Sequence, residues 1–416
     1  MSVLDIVDWL NDQSETESVW FIKRLSSNDT LRNNSHQAGP YIPKDIFFEI
    51  FPSLNRKDIK NPDLNFETYI DSHLANPNAY RTLRAVYYNN KFHADAENKK
   101  GTRNEARITG FGGALSPLLD PENTGSLAIF VFQNKPEPKK IECHIWVCEH
   151  ETEADLVEDR VGPIPPEQAG LVIHFGKSQP NLQGKANSKT NCFLELDELP
   201  KAWLIKFPTG QEIVSYAIKH KPLNSDQVDK RLLRRRECEF EIFQSIEHVI
   251  SMPRIDQGFP TLKEFLDFAN SILQRRKSRG GRSLELQLKA IFEEEGLIEG
   301  KNFSYQAVSE GRKKPDFLFP SQSAYQDKNF PSDDLRMLAV KSTVKDRWRQ
   351  VLNEADRIKT IHLLTLQKGV SEAQYQEMCN YNVQLVVPEP LKKEYPKAIQ
   401  QYLMSLEDFL ADIRMI

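Results

Sequence analysis

Asp316, Lys341 and Glu354 have the types and spacing for hydrolysis of a phosphodiester. Two carboxylates can hold a hard cation such as Mg2+, which keeps several waters and bridges phosphate oxygens. A lysine beside them can orient or deprotonate the attacking water and offset charge in a pentacovalent transition state. Between the lysine and the second acid lies Lys345-Asp346-Arg347. Arginine binds guanine O6 and N7 bidentately and a carboxylate accepts from cytosine N4, so this basic-acidic-basic triplet suits adjacent C·G pairs. Each residue alone has a plainer reading. Asp316 can be a turn residue after Pro315, Lys341 a strand-end charge and Glu354 a solvent-facing helix residue. The triplet can be a solvated helix N-terminus, where aspartate is favourable anyway. Their joint occurrence favours the chemistry.

Such a cluster needs a sheet and an element folded over it. Asp316–Phe319, Met337–Lys341, Ile361–Leu366 and Val383–Val387 read as strands with helical segments between and after them. Strand alternation puts Met337, Ala339 and Lys341 on one face. The common nuclease arrangement has a carboxylate two residues before the lysine, where this chain has Ala339. Glu354, thirteen residues beyond Lys341, can fill that space from a helix with apolar stripe Trp348, Val351, Leu352, Ala355 and Ile358. Thr261 with Glu264 makes a capping box for an amphipathic helix, and Ser283 can cap a second one that stops near Gly296. On that second helix Glu285 either pairs with Lys289 or faces Lys341. Tyr325, in the loop after Pro320, is equally open. The C-terminal half, 193–416, is expected to be an α/β domain with a mixed sheet and helices on both faces.

Residues 1–175 read as mostly β. Ser18–Ile22, Ala85–Tyr88, Ser126–Phe132 and Ile141–Cys148 are apolar or alternating runs separated by Gly, Pro, Asn and Asp. An antiparallel barrel or sandwich follows. From 176 to 192 the composition is that of a linker, with Leu182 the only large apolar residue from Gly176 to Asn191.

The chain has 416 residues, 39% hydrophobic and 27% charged, which fits a globular protein of two or more domains. It has no signal-peptide pattern and no apolar run long enough to span a bilayer. Five cysteines, odd in number and without a CxxC, point to a reduced, cytoplasmic compartment. Cys143-His144 and Cys148-His150 do not make a zinc site, because alternation sends the two cysteines to opposite faces. Net charge is −4, so general nucleic-acid adhesion is excluded, yet basic residues cluster at Arg231, Arg234, Arg235 and Arg236, and at Arg275, Arg276, Lys277, Arg279 and Arg282. Such clusters suit either DNA-gripping surfaces or internal ion pairs.

Several blocks resemble the EcoRII-like family of type IIE restriction endonucleases. They are Lys313–Pro320, Leu338–Lys341, Lys345–Gln350, Asn353–Asp356 and Arg275–Glu285, with Ile22–Ser26, His36-Gln37, Tyr41–Pro43, Thr102–Glu105 and Asp120–Gly125 in the N-terminal half. The resemblance implies a C-terminal PD-(D/E)xK nuclease whose second acid is displaced, as Glu354 is here. It implies an N-terminal effector domain with a DNA-binding pseudobarrel. It further implies cleavage of CCWGG before the first C, dependence on Mg2+, a homodimer, and autoinhibition relieved by a second copy of the site. A cognate cytosine methyltransferase belongs to such a system. Carried over residue by residue, the catalytic set is Asp316, Lys341, Glu354, Glu285 and Tyr325, with Asp316 and Glu354 on the metal. Lys345, Asp346 and Arg347 read bases, helped by Arg275, Arg276, Lys277 and Arg279. Lys23, His36, Tyr41, Arg103, Glu105 and Arg107 face the effector DNA. The family has lysine where this chain has Ala106, and the insertion Ala94–Lys99 differs as well. Arg234–Arg236 lie where the halves could be clamped together. The alternatives are a DNA-binding regulator with a non-catalytic nuclease-like half, and a repair nuclease that reads damage.

Overall fold

Two sheets organise the chain. The structure, a computed structural model, describes residues 3–31, 39–77, 79–93, 101–135, 140–166, 168–175, 192–220 and 227–416. The linker (but for Cys192), His36 and the Ala94–Lys99 insertion lie outside these residues.

The N-terminal sheet comprises β1 (Ser18–Arg24), β2 (Asp63–Ile70), β3 (Tyr80–Tyr88), β4 (Glu105–Thr109), β5 (Leu127–Lys135), β6 (Lys140–Val147) and β7 (Leu171–Phe175). Its order is β4-β3-β2-β6-β5-β1-β7. Among the described residues only β2 and β6 of this sheet pair in parallel. The sheet is therefore mixed rather than wholly antiparallel, and among the described residues no ladder joins β4 to β7. Its central strands are apolar on both faces because both are covered. Phe21, Phe66, Phe130 and Phe132 pack with Phe47 and Phe51 on one side. Trp20, Ile22, Ile129 and Trp146 pack on the other, under Ile6, Trp9 and Val157 from helices Val3–Ser14 and Glu151–Val161.

The C-terminal sheet comprises β8 (Ser304–Tyr305), β9 (Phe317–Phe319), β10 (Arg336–Val340), β11 (Ile361–Leu364) and β12 (Val383–Val386), in the order β12-β11-β10-β9-β8. β10, β11 and β12 run parallel, while β9 is antiparallel to its neighbours. Alternation along β10 is as the sequence implies. Met337 and Ala339 join a core with Trp348, Leu363 and Tyr395. Leu338 and Val340 join another with Leu288, Phe292 and Phe409.

The two expected helices between Thr261 and Gly296 are one helix, Leu262–Glu294, of 33 residues. Thr261 caps it, accepting from the Glu264 backbone N–H. Gly280 and Gly281 cost about 2 kcal/mol of helix propensity, but anchors on both sides carry the helix through. Arg279 pairs with Glu239 at 2.9 Å, and Leu284 and Leu288 are buried against the sheet. The Arg231–Arg236 cluster is largely internal. Arg235 meets Glu294 at 2.8 Å and Arg236 meets Glu239 at 3.2 Å, while Arg231 pairs with Glu294 and Glu295. The pairs of Arg231 and Arg235 join helix Val228–Gln257 to the C-terminal end of Leu262–Glu294, and the Arg236 pair lies within Val228–Gln257, so all of these pairs lie in the C-terminal half. Arg234 alone of the triple arginine is exposed.

The cysteines also differ from expectation. Cys192 and Cys238 form a disulfide, Cα–Cα 5.2 Å, while Cys143, Cys148 and Cys379 are free. The Cys192 and Leu194 N–H groups donate to Glu241 and Ser245 of the Val228–Gln257 helix at 3.0 and 2.8 Å. That docking brings the two sulfurs within bridging reach. Among the described residues no helix is long and apolar enough to cross a membrane.

Candidate active site

Asp316 stands immediately before β9 and Lys341 immediately after β10. β9 and β10 are paired antiparallel neighbours, so these two positions meet at one end of the sheet. The Asp316 carboxylate accepts from the Val340 N–H at 2.7 Å and lies 4.0 Å from Lys341 Nζ. Burial raises the Asp316 carboxyl above its ordinary range, opposed by Lys341 and the Val340 hydrogen bond.

Glu354 reaches the same centre by a different route from the one expected. The segment is a short 3-10 turn, Arg347–Val351, followed by a bend that carries Glu354. It is not an α-helix. Trp348, Val351, Ala355 and Ile358 are still buried, so the apolar stripe holds the segment over the sheet without helical geometry. Ser309 Oγ donates to the Glu354 carbonyl at 2.5 Å and fixes the bend. Burial, with Asp316 and Glu285 nearby, pushes the Glu354 carboxyl up to about 7 against the pull of Lys341.

Glu285 comes from the middle of Leu262–Glu294. Its Oε2 accepts from Tyr305 and Gln306 at 3.0 and 2.8 Å. Its pKa is raised by burial first and by Asp316 second, with Lys341 opposing. Three acids and one lysine thus share one electrostatic neighbourhood. Tyr325 lies apart from them in its bonding. Its hydroxyl donates to Glu310 and accepts from the Arg357 N–H at 3.2 Å. It secures the stretch just after Glu354.

A divalent cation fits this centre. Glu354 Oε2 is buried with no hydrogen-bond partner, and the carboxylates outnumber the lysine. Among the described residues no three acids, histidines or cysteines gather closely enough to cage a metal. Mg2+ does not need that, since it binds through one or two carboxylates and keeps its waters.

The triplet faces the N-terminal half. Lys345 Nζ is buried and donates to Ser126 Oγ, the Glu149 carbonyl and the Cys148 carbonyl at 2.5, 2.8 and 3.4 Å. That burial lowers its pKa. Asp346 accepts from the Glu151 N–H at 3.3 Å. Arg347 pairs with Glu151 at 2.9 Å and Asp155 at 2.6 Å.

Comparison with known proteins decides the family. The family profile described as "Restriction endonuclease EcoRII, N-terminal" matches residues 14–174, and "EcoRII C terminal" matches 243–410. The type II restriction enzyme EcoRII of Escherichia coli is 42% identical over 407 residues, covering 98% of this chain and 96% of that protein. The chain belongs to the EcoRII family. Two solved structures of metal-depleted Ecl18kI are also similar. The one with uncleaved, modified DNA has TM-score 0.42 and 17% identity, covering 52% of this chain and 80% of that one. The one with uncleaved DNA has TM-score 0.41 and 19% identity, covering 51% and 79%.

As an EcoRII-family protein the chain is a type II, site-specific DNA endonuclease. The other residues singled out in the sequence are distributed unevenly. Arg279 is buried against Glu239 with its guanidinium over Phe240. Arg276 pairs with Glu247 at 2.5 Å and donates to the Val161 carbonyl, and Lys277 pairs with Asp159 at 2.6 Å. Arg275 lies over the Phe207 ring. In the N-terminal half Lys23 is buried on Asp29 at 2.8 Å and donates to the Tyr41 carbonyl, leaving Tyr41 exposed. Glu105 lies 2.9 Å from Arg107 and 4.0 Å from Arg103 on the outer side of β4. Ala106 points the other way, into the core. Its difference from the family's lysine therefore falls on the inner face of β4, not among the outward groups. Sequence reasoning missed Tyr305 and Gln306, which hold Glu285. Their only signal is position, eleven and ten residues before Asp316.

Proposed function

We propose that this enzyme makes Mg2+-dependent double-strand cuts at CCWGG, before the first C, leaving 5′-phosphates. The observation that carries the reading is the meeting of Asp316, Lys341, Glu354 and Glu285 at one sheet end, with Glu354 Oε2 buried and unpartnered. Asp316 and Glu354 would hold the metal. When bound, the ion polarises a phosphate oxygen and acidifies a water. Lys341 orients the attacking water and offsets charge on the phosphorane. Glu285, held by Tyr305 and Gln306, faces Lys341 and keeps the ammonium at the centre. Tyr325 supports the bend that delivers Glu354.

Residues 1–175 act as the effector domain, 176–192 as linker and 193–416 as the nuclease. The N-terminal half is autoinhibitory, because every side chain of Lys345-Asp346-Arg347 is bonded to it. A carboxylate-bound arginine is not available to guanine. A second copy of the site, bound by the N-terminal half through Tyr41, Arg103, Glu105 and Arg107, releases the triplet. The enzyme works as a homodimer in the cytoplasm beside a cytosine methyltransferase, whose methyl group would intrude on the triplet in the major groove.

Digestion of methylation-free DNA with Mg2+, followed by end sequencing, tests this directly. CCWGG ends that disappear with EDTA and with Lys341→Ala are expected. Ends at another sequence would overturn the site, and EDTA-resistant cutting would overturn the metal. Equal rates on single-site and two-site DNA would overturn the allostery.

A further inference from the structure

The base-reading segment has no regular structure of its own between Lys341 and Arg347. It hangs from the strand beside it. Lys341 N–H continues the ladder to the Leu364 carbonyl at 3.0 Å. Beyond that point side chains take over. Thr365 Oγ1 donates to the Ser342 carbonyl at 3.2 Å. Gln367 Oε1 accepts from both the Val344 N–H at 2.8 Å and the Lys345 N–H at 3.3 Å.

Gln367 is 1% exposed and bonded at both ends of its amide. Its Nε2 donates to the Gly369 carbonyl at 2.8 Å, and its own carbonyl accepts from the Tyr395 hydroxyl at 2.8 Å. A buried amide with this many partners has one available rotamer, so it fixes whatever it holds. The same amide is also touched by the other half of the molecule. A Cβ built on Gly125, whose φ is +88°, would lie 2.6 Å from Gln367 Nε2. Only glycine lets this turn sit on the amide and hold that φ. Ser27 makes a second contact nearby, its N–H donating to the Lys368 carbonyl at 3.0 Å.

We propose that Gln367 is a specificity-determining positioning residue, which sets the backbone of Val344 and Lys345 and is itself set by the Gly125 turn of the N-terminal half. The inference rests on the assignment of Lys345, Asp346 and Arg347 as base readers. It adds that docking of the N-terminal half is felt by the readers through their backbone as well as through their side chains.

The full-length protein tests it. Gln367→Met keeps the volume and removes both acceptor bonds. The readout is the ratio of kcat/KM on a duplex carrying CCTGG to that on a duplex with one outer C·G pair exchanged. Losing two buried hydrogen bonds is expected to lower this ratio about tenfold or more. Gly125→Ala, which presses a methyl onto the amide from this buried turn, should also lower it, and should add nothing in the Gln367→Met background. An unchanged ratio in both single variants, with overall activity falling uniformly, overturns the inference, as does full additivity of the two. If Gln367→Met does not fold, the ratio for Gly125→Ala decides. Arg347→Ala separates the two levels. If it loses discrimination while Gln367→Met keeps it, the positioning role alone fails. If both keep it, the base-reading assignment fails and takes this inference with it.

Discussion

Replacing Glu354 by glutamine should stabilise the metal-free protein in mildly alkaline solution, even as it abolishes cleavage. Burial raises the Glu354 carboxyl from 4.5 to about 7, with Asp316 and Glu285 adding to the effect. Below pH 4.5 the folded and unfolded chains both carry the proton, and the shift has no consequence. Between about 4.5 and 7 the unfolded chain releases a proton that the folded one keeps, so stability falls as pH rises through that window. At about 1.4 kcal/mol per pH unit the full window is about 3 kcal/mol. Glu354 is only half-buried, and solvent screening leaves about 1–2 kcal/mol. The assay is thermal unfolding in EDTA at pH 4.5 and pH 8, wild type against Glu354→Gln. The two should melt together at the lower pH, and the variant should melt a few degrees higher at pH 8. Mg2+ should then raise the wild type and leave the variant unmoved, because only the ionised carboxylate can take up the ion. Parallel pH dependence in the two proteins would refute the assignment of Glu354 as the buried acid. Mg2+ stabilisation of the variant equal to that of the wild type would refute its role as a ligand.

Lys341→Ala should lower cleavage by at least about a hundredfold while leaving affinity for DNA in Ca2+ within a few-fold, as measured by gel shift. Asp155→Asn removes the 2.6 Å partner of Arg347. It should speed cutting of single-site DNA severalfold with little change on two-site DNA, and equal rates for variant and wild type would count against the latch. Arg279→Ala takes one of two arginine partners from buried Glu239, leaving Arg236 at 3.2 Å, and should cost about 1–3 kcal/mol of stability, readable as a lower denaturant midpoint. A purely DNA-gripping Arg279 would leave that midpoint in place.

The sheet that carries the nuclease centre was legible because alternation is local. Met337 and Ala339 separate from Leu338 and Val340 as period-two geometry requires, which puts Lys341 on the Ala339 face, whereas its meeting with Asp316 comes from the β9–β10 pairing. The route of Glu354 was less so. Trp348, Val351 and Ala355 satisfy a helical spacing, but three residues' spacing is also met by a 3-10 turn, and burial alone cannot choose between them. Charge clusters were the least informative. Arg231, Arg235 and Arg279 find acids distant in sequence on the facing helix, while Arg236 pairs with Glu239 three residues on, and no local pattern distinguishes Arg279, which meets Glu239, from an arginine that will meet phosphate. The two helices expected between Thr261 and Gly296 are one, because tertiary anchors carry it through Gly280-Gly281. The alternation applied to β10 also turns Ala106 inward on β4.

On the proposed reading, the one guanidinium of Arg347 serves two partners, the Glu151–Asp155 edge that it pairs with here and a guanine of the site. This gives restraint and recognition a common set of atoms. A substitution at Arg347 that altered the sequence being cut would at the same moment dissolve its bond to the effector half. A new specificity would arise already unlatched, directed at host sites that the proposed partner methyltransferase would not protect. Drift in what the enzyme recognises is thereby self-punishing, and a viable change at 345–347 must be matched by one in the 149–155 segment that holds it.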